Sequence, residues 1–250
     1  MLAVCAVAAS TAVALPEVGR CAPQAGGRYL GAGCTSKGKG SYEWERNPLA
    51  THFVAAGGSA TLETASGSAI SCGGSVEAGD YVSATPTKEV HNVVIALSGC
   101  ALPLFDGACA SRGAAPGELV SSTLKGKLAY ISGKGSPTPV VGLVLSPQTA
   151  GAAFREWECP AVGVTVYEGQ GAGKGHASVI ARLGPLDTMS SAWTQAYLGA
   201  KGVQEPLHIE GSASIDSLET SLSGKKGVFE RSDQVGELTI ANEEALEIKA

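Results

Sequence analysis

The sequence predicts an all-β fold, either an antiparallel β-sandwich or a barrel-like body of about 12 short strands, with little or no helix. Short runs of alternating or β-branched residues recur at roughly 8- to 15-residue intervals, the spacing of such folds. Gly, Ser or Pro separates the runs, and Gly accounts for 34 of the 250 residues, about twice its usual share. Helical spacing is almost absent.

The individual strands are predicted from these runs in chain order. They are 60–64, 68–72, 90–97, 118–123, 127–132, 140–145, 153–159, 162–168, 177–183, 192–198, 215–222, 236–241 and 245–249. Gly-containing turns at 57–58, 73–74 and 133–135 separate several of them. Residues 188–197 fit a helix or a strand, and the surrounding pattern favours the strand. We expect a single Gly-rich all-β domain over 15–250, with a boundary near residue 160 if the body has two lobes.

The first residues predict export. Residues 1–16 carry no charged side chain, and Ala12-Val13-Ala14 is a small-residue cleavage site. This pattern predicts a secretory signal peptide over residues 1–14, although no Lys or Arg precedes the apolar stretch as is usual. A buried first strand or helix is the alternative. We therefore predict a protein that is secreted or associated with the cell envelope.

The cysteines support that compartment. With Cys5 assigned to the signal peptide, an even set is left in the mature chain: Cys21, Cys34, Cys72, Cys100, Cys109 and Cys159. In an exported chain such a set predicts disulfides, and six cysteines allow about 15 connectivities. Proximity along the chain favours Cys21–Cys34 and Cys100–Cys109, which leaves Cys72–Cys159.

Composition and charge exclude some classes of partner. Charged residues make up 16% of the chain and the net charge is −5. The longest basic run is Lys225-Lys226, so nucleic acid is not an expected partner. The apolar run 140–145 is too short to cross a bilayer, and we predict no membrane span in the mature chain.

Two glutamate pairs are the strongest chemical candidates. Glu43 and Glu45 flank Trp44, and Glu156 and Glu158 flank Trp157. On a strand each pair shares one face and its Trp takes the other. Such a pair could serve a glycosidase or bind Ca²⁺. The more common arrangement is a half-buried strand with Trp inward and both acids in water.

Other catalytic and binding motifs are incomplete. The histidines, His52, His91, His176 and His208, have no metal-ligand spacing. No Gly-x-Ser-x-Gly motif occurs. The Gly-rich segment 169–175 departs from the phosphate-loop pattern at Glu168 and Gly175 and is better explained as a hairpin turn. We therefore predict no catalytic, cofactor-binding or metal-binding residue.

Several short motifs resemble a family of Gly-rich, secreted proteins of unknown function from actinobacteria. They are Glu17–Cys21, Gly33-Cys34, Tyr42–Trp44, Ala60–Thr64, 70–72, 98–100, 117–120, 124–128 and the terminal block 239–248, which contains Asn-Glu-Glu-Ala-Leu-Glu-Ile. The resemblance covers nearly the whole mature chain. It implies export and a Gly-rich β fold, and it supplies no activity, ligand or catalytic residue.

The combined prediction is an exported, disulfide-stabilised, non-enzymatic β protein that acts as a binding or structural module at the envelope or outside the cell. Its expected partners are a cell-wall or extracellular polysaccharide, or another envelope protein. Tyr29, Tyr42, Tyr81 and Tyr167 are candidates to stack on sugars where they are exposed. The alternative is a secreted hydrolase of wall or environmental polysaccharide that uses a glutamate pair.

Overall fold

The computed structural model describes residues 16–46, 51–82, 87–103, 107–169, 175–224 and 227–250. The strands, in chain order, are β1 Glu17–Tyr29, β2 Lys37–Glu45, β3 His52–Gly57, β4 Ala60–Thr64, β5 Ala69–Cys72, β6 Gly74–Tyr81, β7 Glu89–Ser98, β8 Leu119–Val120, β9 Leu124–Ser132, β10 Val140–Pro147, β11 Arg155–Cys159, β12 Val164–Gly169, β13 Gly175–Ala177, β14 Val179–Gly184, β15 Ser190–Ala200, β16 Val203–Glu205, β17 Ile215–Ser221 and β18 Glu230–Lys249. A short 3₁₀ helix spans Pro160–Val162.

One set of strands closes into an antiparallel barrel. The strands β3, β6, β7, β9, β10, β14, β15 and β18 pair in that order. β18 then pairs back to β3, which closes the ring. Closure leaves no unpaired barrel edge on which another chain could add a strand.

Alternating residues fill the barrel. Phe53, Tyr81 and Trp193 form an aromatic cluster inside it, with ring centroids 5.2 Å apart for Phe53 and Tyr81. Gly126, within β9, leaves space for the side chains packed inside the barrel. A Cβ at this position would lie 2.7 Å from Leu145 and from Val90. The period-2 pattern thus places large apolar side chains inward and leaves room for them.

A second sheet lies beside the barrel and shares β18 with it. Its strands pair antiparallel in the order β11, β12, β17, β18, β4, β5. The two outer strands are joined through the segment after β7, by bridges between Ser71 and Ala101, Ala101 and Ala108, and Ala110 and Glu158. Through these bridges the two outer strands of the second sheet, β5 and β11, are connected, so the sheet curves toward its inner face.

The N-terminal hairpin, formed by β1 and β2, attaches at the end of β18. Glu17, Val18 and Gly19 pair with the last residues of β18, and the rest of β1 pairs with β2. β18 thus contributes to the second sheet, the barrel and the hairpin in turn. Strands from both sides of residue 160 contribute to the barrel and to the second sheet.

The all-β prediction is confirmed, and the barrel is the form the fold takes. The described residues form eighteen strands, more than the number predicted. The strands β1, β2, β3, β6 and β16 lie outside the predicted runs, and the runs 236–241 and 245–249 are parts of the single strand β18. Strand pairs are antiparallel apart from β13 with β17. The predicted signal peptide, residues 1–14, lies outside the described residues. In the part of the chain that is described, no helix has the length and apolar character needed to cross a membrane.

The disulfide pairing was partly wrong. Cys21–Cys34 is present as predicted. The other bonds are Cys72–Cys100 and Cys109–Cys159, not Cys100–Cys109 and Cys72–Cys159. The reason is strand pairing: the β6–β7 hairpin aligns Gly74 with Ser98 and brings Cys72 beside Cys100. The bridge between Ala110 and Glu158 likewise brings Cys109 beside Cys159.

Candidate functional site

The inner face of the second sheet lines a cavity of about 320 Å³ that is partly open to solvent, which we call the second-sheet cavity. Its apolar lining comes from β4, β5, β11 and β12, from the 3₁₀ helix, and from the segments that follow β7 and β17. These residues are Leu62, Ala69, Ile70, Leu102, Trp157, Cys159, Val162, Val164, Val166 and Leu222. The volume is at the lower end of the ~300–1,000 Å³ range of small-molecule sites.

Strand alternation positions the cavity wall. On β11 the inward residues are Arg155, Trp157 and Cys159, and Glu156 and Glu158 point outward. Trp157 lies opposite Val166 on β12. Because residues two apart on a strand share a face, the guanidinium of Arg155 and the indole of Trp157 lie side by side on the inner face of β11.

Buried polar side chains form one end of the cavity. Arg155 donates a hydrogen bond from Nη2 to Gln234 Oε1 at 2.8 Å and contacts Glu168 Oε2 through Nη1 at 3.3 Å. Thr220 and Ser232 join their hydroxyl oxygens at 2.6 Å. Glu168, Thr220 and Ser232 line the cavity directly. The result is an apolar chamber with a polar end wall.

Burial dominates the electrostatics of that wall. Arg155 and Glu168 are both buried, at 1% and 0% exposure. Burial raises the pKa of Glu168, and the positive charge of Arg155 opposes that rise. Burial likewise lowers the pKa of Arg155, although a guanidinium keeps its proton in proteins. Breaking such a pair would leave an uncompensated charge, so the two residues depend on each other.

Two buried polar atoms of residues that line the cavity have no hydrogen-bond partner among the described residues. They are Nε1 of Trp157 and Oε1 of Glu168. The first is a donor and the second, when ionised, is an acceptor. A buried polar group without a partner is costly, and in native proteins its presence calls for an explanation. Here both atoms belong to residues that line the cavity.

The glutamate pairs do not meet. Glu43 is held by Arg28, whose Nε lies 2.8 Å from its Oε1, and the pKa of Glu43 is lowered by that hydrogen bond. Glu45 pairs with Arg20. Both acids lie on β2, far in the topology from β11, where Glu156 and Glu158 are exposed. Neither the second-sheet cavity nor any of three other cavities among the described residues is lined by both pairs.

The tryptophan orientation follows the half-buried strand pattern. Trp44 and Trp157 are both buried, on the face opposite their glutamates. The tyrosine hypothesis is not supported for three of the four residues. Tyr29, Tyr81 and Tyr167 are buried as well: Tyr29 and Tyr81 occupy inward positions of their strands, and Tyr167, on the other face of β12 from Val166, packs against Phe229 with ring centroids 5.8 Å apart. They are therefore unavailable for stacking on a sugar, and Tyr42 is only partly exposed.

The histidines serve separate local contacts. His52 Nδ1 lies 3.1 Å from Asp80 Oδ1, and His208 Nδ1 lies 2.7 Å from the carbonyl oxygen of Ser214. Within the described ranges, no cluster of His, Cys, Asp or Glu has the geometry of a metal site. Most of the Gly-rich segment 169–175 lies outside the described residues.

Two other groups of buried polar side chains, around Glu77 and around Lys249, are held by contacts within the fold. In the barrel, Glu77 accepts hydrogen bonds from Tyr197 and Gln195. At the hairpin, Lys249 Nζ lies 4.3 Å from the ring centre of Trp44 and donates to the carbonyl oxygen of Cys34 at 2.7 Å. The first contacts join β6 to β15 inside the barrel, and the second join the C-terminal strand to the hairpin.

Open grooves on the outside are larger than the second-sheet cavity. One of about 690 Å³ is lined by exposed Lys125 and Lys127, and one of about 630 Å³ by exposed Arg112 and Glu156. Their charged side chains are already solvated. The second-sheet cavity differs because its polar atoms are buried and its wall is apolar, which favours it as the functional site.

Sequence reasoning missed this site, although one signal was present. Once Trp157 was placed inward, alternation required Arg155 to point inward too. By the same rule, Glu168 shares the face of Val164 and Val166. Charged residues on a predicted inward face are rare unless they are paired, so these two positions could have been recognised as partners.

Comparison with known proteins adds no assignment: no protein-family model, curated protein or solved structure matches this chain.

Proposed function

We propose that this protein is an exported, non-enzymatic binding protein that holds a small apolar molecule in the second-sheet cavity. The observation that carries the proposal is the apolar chamber of about 320 Å³ with buried, partly unpartnered polar atoms at one end. An apolar cavity of this kind favours an apolar ligand. We also propose that the chain is a member of the family of Gly-rich, secreted actinobacterial proteins that its sequence resembles.

Export is supported by the disulfides. All six cysteines of the predicted mature chain are paired, and such bonds persist in oxidising compartments outside the cytosol. Together with the apolar first residues, they support a secreted or envelope-associated protein. When the full chain is expressed in an exporting host, N-terminal sequencing of the exported protein should begin at Leu15. A chain that is retained inside the cell with Met1 in place would contradict export.

The binding proposal is tested by filling the cavity. Val166 points into the cavity and its neighbour Thr165 is exposed on the outer face of the same strand. We expect Val166→Phe to weaken binding of butylbenzene about tenfold or more, because the added ring occupies the space of the ligand. Thr165→Phe is the matched control and should bind as the wild type does. Isothermal titration calorimetry on the disulfide-bonded protein measures both affinities.

Two results would overturn the proposal. One is a wild-type protein that binds no apolar molecule of this size. The other is equal binding by wild type and Val166→Phe, which would place the ligand elsewhere. Release of sugar from a wall polysaccharide by the purified protein would instead support the hydrolase alternative.

A further inference from the structure

The second-sheet cavity has a closed end and an open end. On β12, Val164 is half-buried, and Val166 and Glu168 are buried. On β17, Thr220 is buried, and Leu222, just beyond the strand, is 36% exposed. Glu168 lies opposite Thr220, so the two strands become more exposed in the same direction. The cavity therefore opens to solvent beside Val164 and Leu222 and is closed at Glu168 and Thr220.

The polar groups of the closed end are buried or already bonded to other side chains. Oε1 of Glu168 is buried and is not accessible from the cavity, and Oε2 of the same residue contacts Arg155. The hydroxyl groups of Thr220 and Ser232 bond to each other at 2.6 Å. A polar group placed against this wall would lose its hydration without a replacement. An apolar terminus has no such penalty, so it is the part of a ligand that fits there.

The open end allows another part of the same ligand to stay in water. Leu102, Val162 and Val164 line the cavity and are half-buried, and Leu222 lines it and is exposed. Apolar side chains that solvent also reaches therefore surround the mouth. A molecule that is apolar at one end and polar at the other can bury the first end and keep the second hydrated.

The volume limits the length of the buried part. An apolar cavity of about 150 Å³ holds benzene, a molecule of six carbon atoms. On that scale the volume of about 320 Å³ holds about twelve carbon atoms, which is one alkyl chain of medium length.

We propose, as a deepening that rests on the proposed function, that the second-sheet cavity binds an amphiphile with a single alkyl chain of about ten to twelve carbon atoms. The chain enters with its terminal methyl group towards Glu168 and Thr220. The polar head group remains in solvent beside Val164 and Leu222.

A series of alkyl maltosides tests this arrangement, because the maltose head group is too large to enter the cavity. Its neutrality also keeps the carboxylate of Glu63, which lines the cavity, from affecting the comparison. Equilibrium dialysis of the disulfide-bonded wild type, below the micelle concentration of each compound, measures the affinities for hexyl, octyl, decyl, dodecyl and tetradecyl maltoside. Each added methylene should raise the affinity about fourfold until the chain fills the cavity. From dodecyl to tetradecyl the total rise should be less than about fourfold, where two freely buried methylenes would give about fifteenfold.

A matched pair of variants locates the chain. Val166→Phe adds about four carbon atoms to the wall of the cavity, so the affinity should stop rising at chains about four carbon atoms shorter. Thr165→Phe places its ring on the exposed face of β12 and should keep the length dependence of the wild type. An identical length dependence in wild type and Val166→Phe would overturn the placement of the chain in this cavity.

Phosphatidylcholine vesicles distinguish a single-chain ligand from a membrane lipid. A cavity for about twelve carbon atoms holds one chain and has no space for a second. The protein should therefore remain in the supernatant when the vesicles are sedimented. Sedimentation of the protein with the vesicles would overturn the single-chain inference.

The remaining outcomes separate this inference from the proposed function. If butylbenzene binds and no maltoside does, the ligand is wholly enclosed, so the inference fails and the binding function stands. A rise of about fifteenfold from dodecyl to tetradecyl maltoside would mean that the cavity does not limit the chain, and it would overturn the inference as well. Failure of butylbenzene and of every maltoside to bind removes the proposed function itself. The chain-length series requires no variant, so the inference stays testable even if Val166→Phe does not fold.

Discussion

Glu77 lies inside the barrel, fully buried, where Tyr197 and Gln195 donate hydrogen bonds to its Oε2 atom at 2.7 and 2.9 Å. Burial raises the pKa of Glu77 to about 7, and the two donated hydrogen bonds oppose the rise. A carboxyl group whose pKa is higher in the folded protein stabilises the fold when it is protonated. That contribution is complete below the unfolded pKa near 4.5 and is lost as the pH rises through about 7.

Glu77→Gln should remove this pH dependence. Glutamine keeps an oxygen to accept both hydrogen bonds and carries no charge. We expect the wild type to lose up to about 3 kcal/mol of unfolding free energy between pH 4.5 and pH 8 from this group, and the variant to lose correspondingly less. Urea unfolding at both pH values measures the difference. Glu156→Gln, at an exposed position, is the control, and an unchanged pH dependence in Glu77→Gln would show that Glu77 titrates normally.

Among the elements of the fold, the segment after β7 is needed to complete the second sheet. That segment completes the ring between β5 and β11 through isolated bridges, which supply few backbone hydrogen bonds. Cys109–Cys159 and Cys72–Cys100 join the same segment to β11 and β5. We infer that these covalent links compensate for the weak strand pairing at this part of the ring.

Removing Cys109–Cys159 should therefore affect both stability and binding. The bond closes a loop with a sequence separation of 50, for which loop entropy predicts about 4 kcal/mol. Cys109→Ala with Cys159→Ala should lose about that much unfolding free energy and bind butylbenzene more weakly, because Cys159 lines the cavity. Urea unfolding and calorimetry measure the two effects.

The hairpin disulfide provides the comparison. Cys21–Cys34 has a sequence separation of 13 and packs in a separate cluster with Tyr29 and Trp44. Its removal by the same substitution should cost about 3 kcal/mol and leave the affinity for butylbenzene unchanged. Equal loss of affinity in both double variants would mean that the disulfides act through global stability alone.

β18 connects the whole molecule. Its residues 232–235 pair with β4, 238–242 with β3 and 247–249 with β1. Buried side chains of the barrel and the second sheet also form one continuous core. Unfolding of one unit would remove a strand or a packing surface from the next, so we predict that the chain unfolds as a single domain.

The tryptophans allow this prediction to be tested. Trp44 lies in the hairpin, Trp157 in the second sheet and Trp193 in the barrel, and the chain has 3 in all. In variants that keep one Trp and carry Phe at the others, the urea midpoint by fluorescence should equal the midpoint by circular dichroism of the same variant. An earlier fluorescence midpoint for Trp44 or Trp157 would identify a unit that unfolds by itself.

Local patterns predicted a large part of this fold. The strands over 153–159 and 162–168 follow from period-2 alternation, and the inward positions of Trp157 and Val166 follow from the same period. Alternation also carried the information that Arg155 and Glu168 are inward, because side-chain direction along a strand depends only on the strand itself. Proximity along the chain predicted the Cys21–Cys34 bond correctly and the Cys100–Cys109 bond wrongly.

The sequence patterns did not predict which strands pair with each other. The cavity exists because β18 pairs with both β4 and β17 and because the segment after β7 reaches β11. No periodicity encodes such long-range pairings, which depend on how the whole chain packs. The same is true of Cys72–Cys100 and Cys109–Cys159, which join residues that only folded strands bring together.

The sequence by itself thus determined the class of fold, the direction of side chains along its strands and the even set of cysteines, since these are properties of short segments. Only the tertiary structure decided which strands close the second sheet, which cysteines pair across it and that Trp157 and Glu168, the partner of Arg155, share one cavity wall. Those features arise from contacts between residues far apart in the chain, whose free energy is gained only when the sheets are complete.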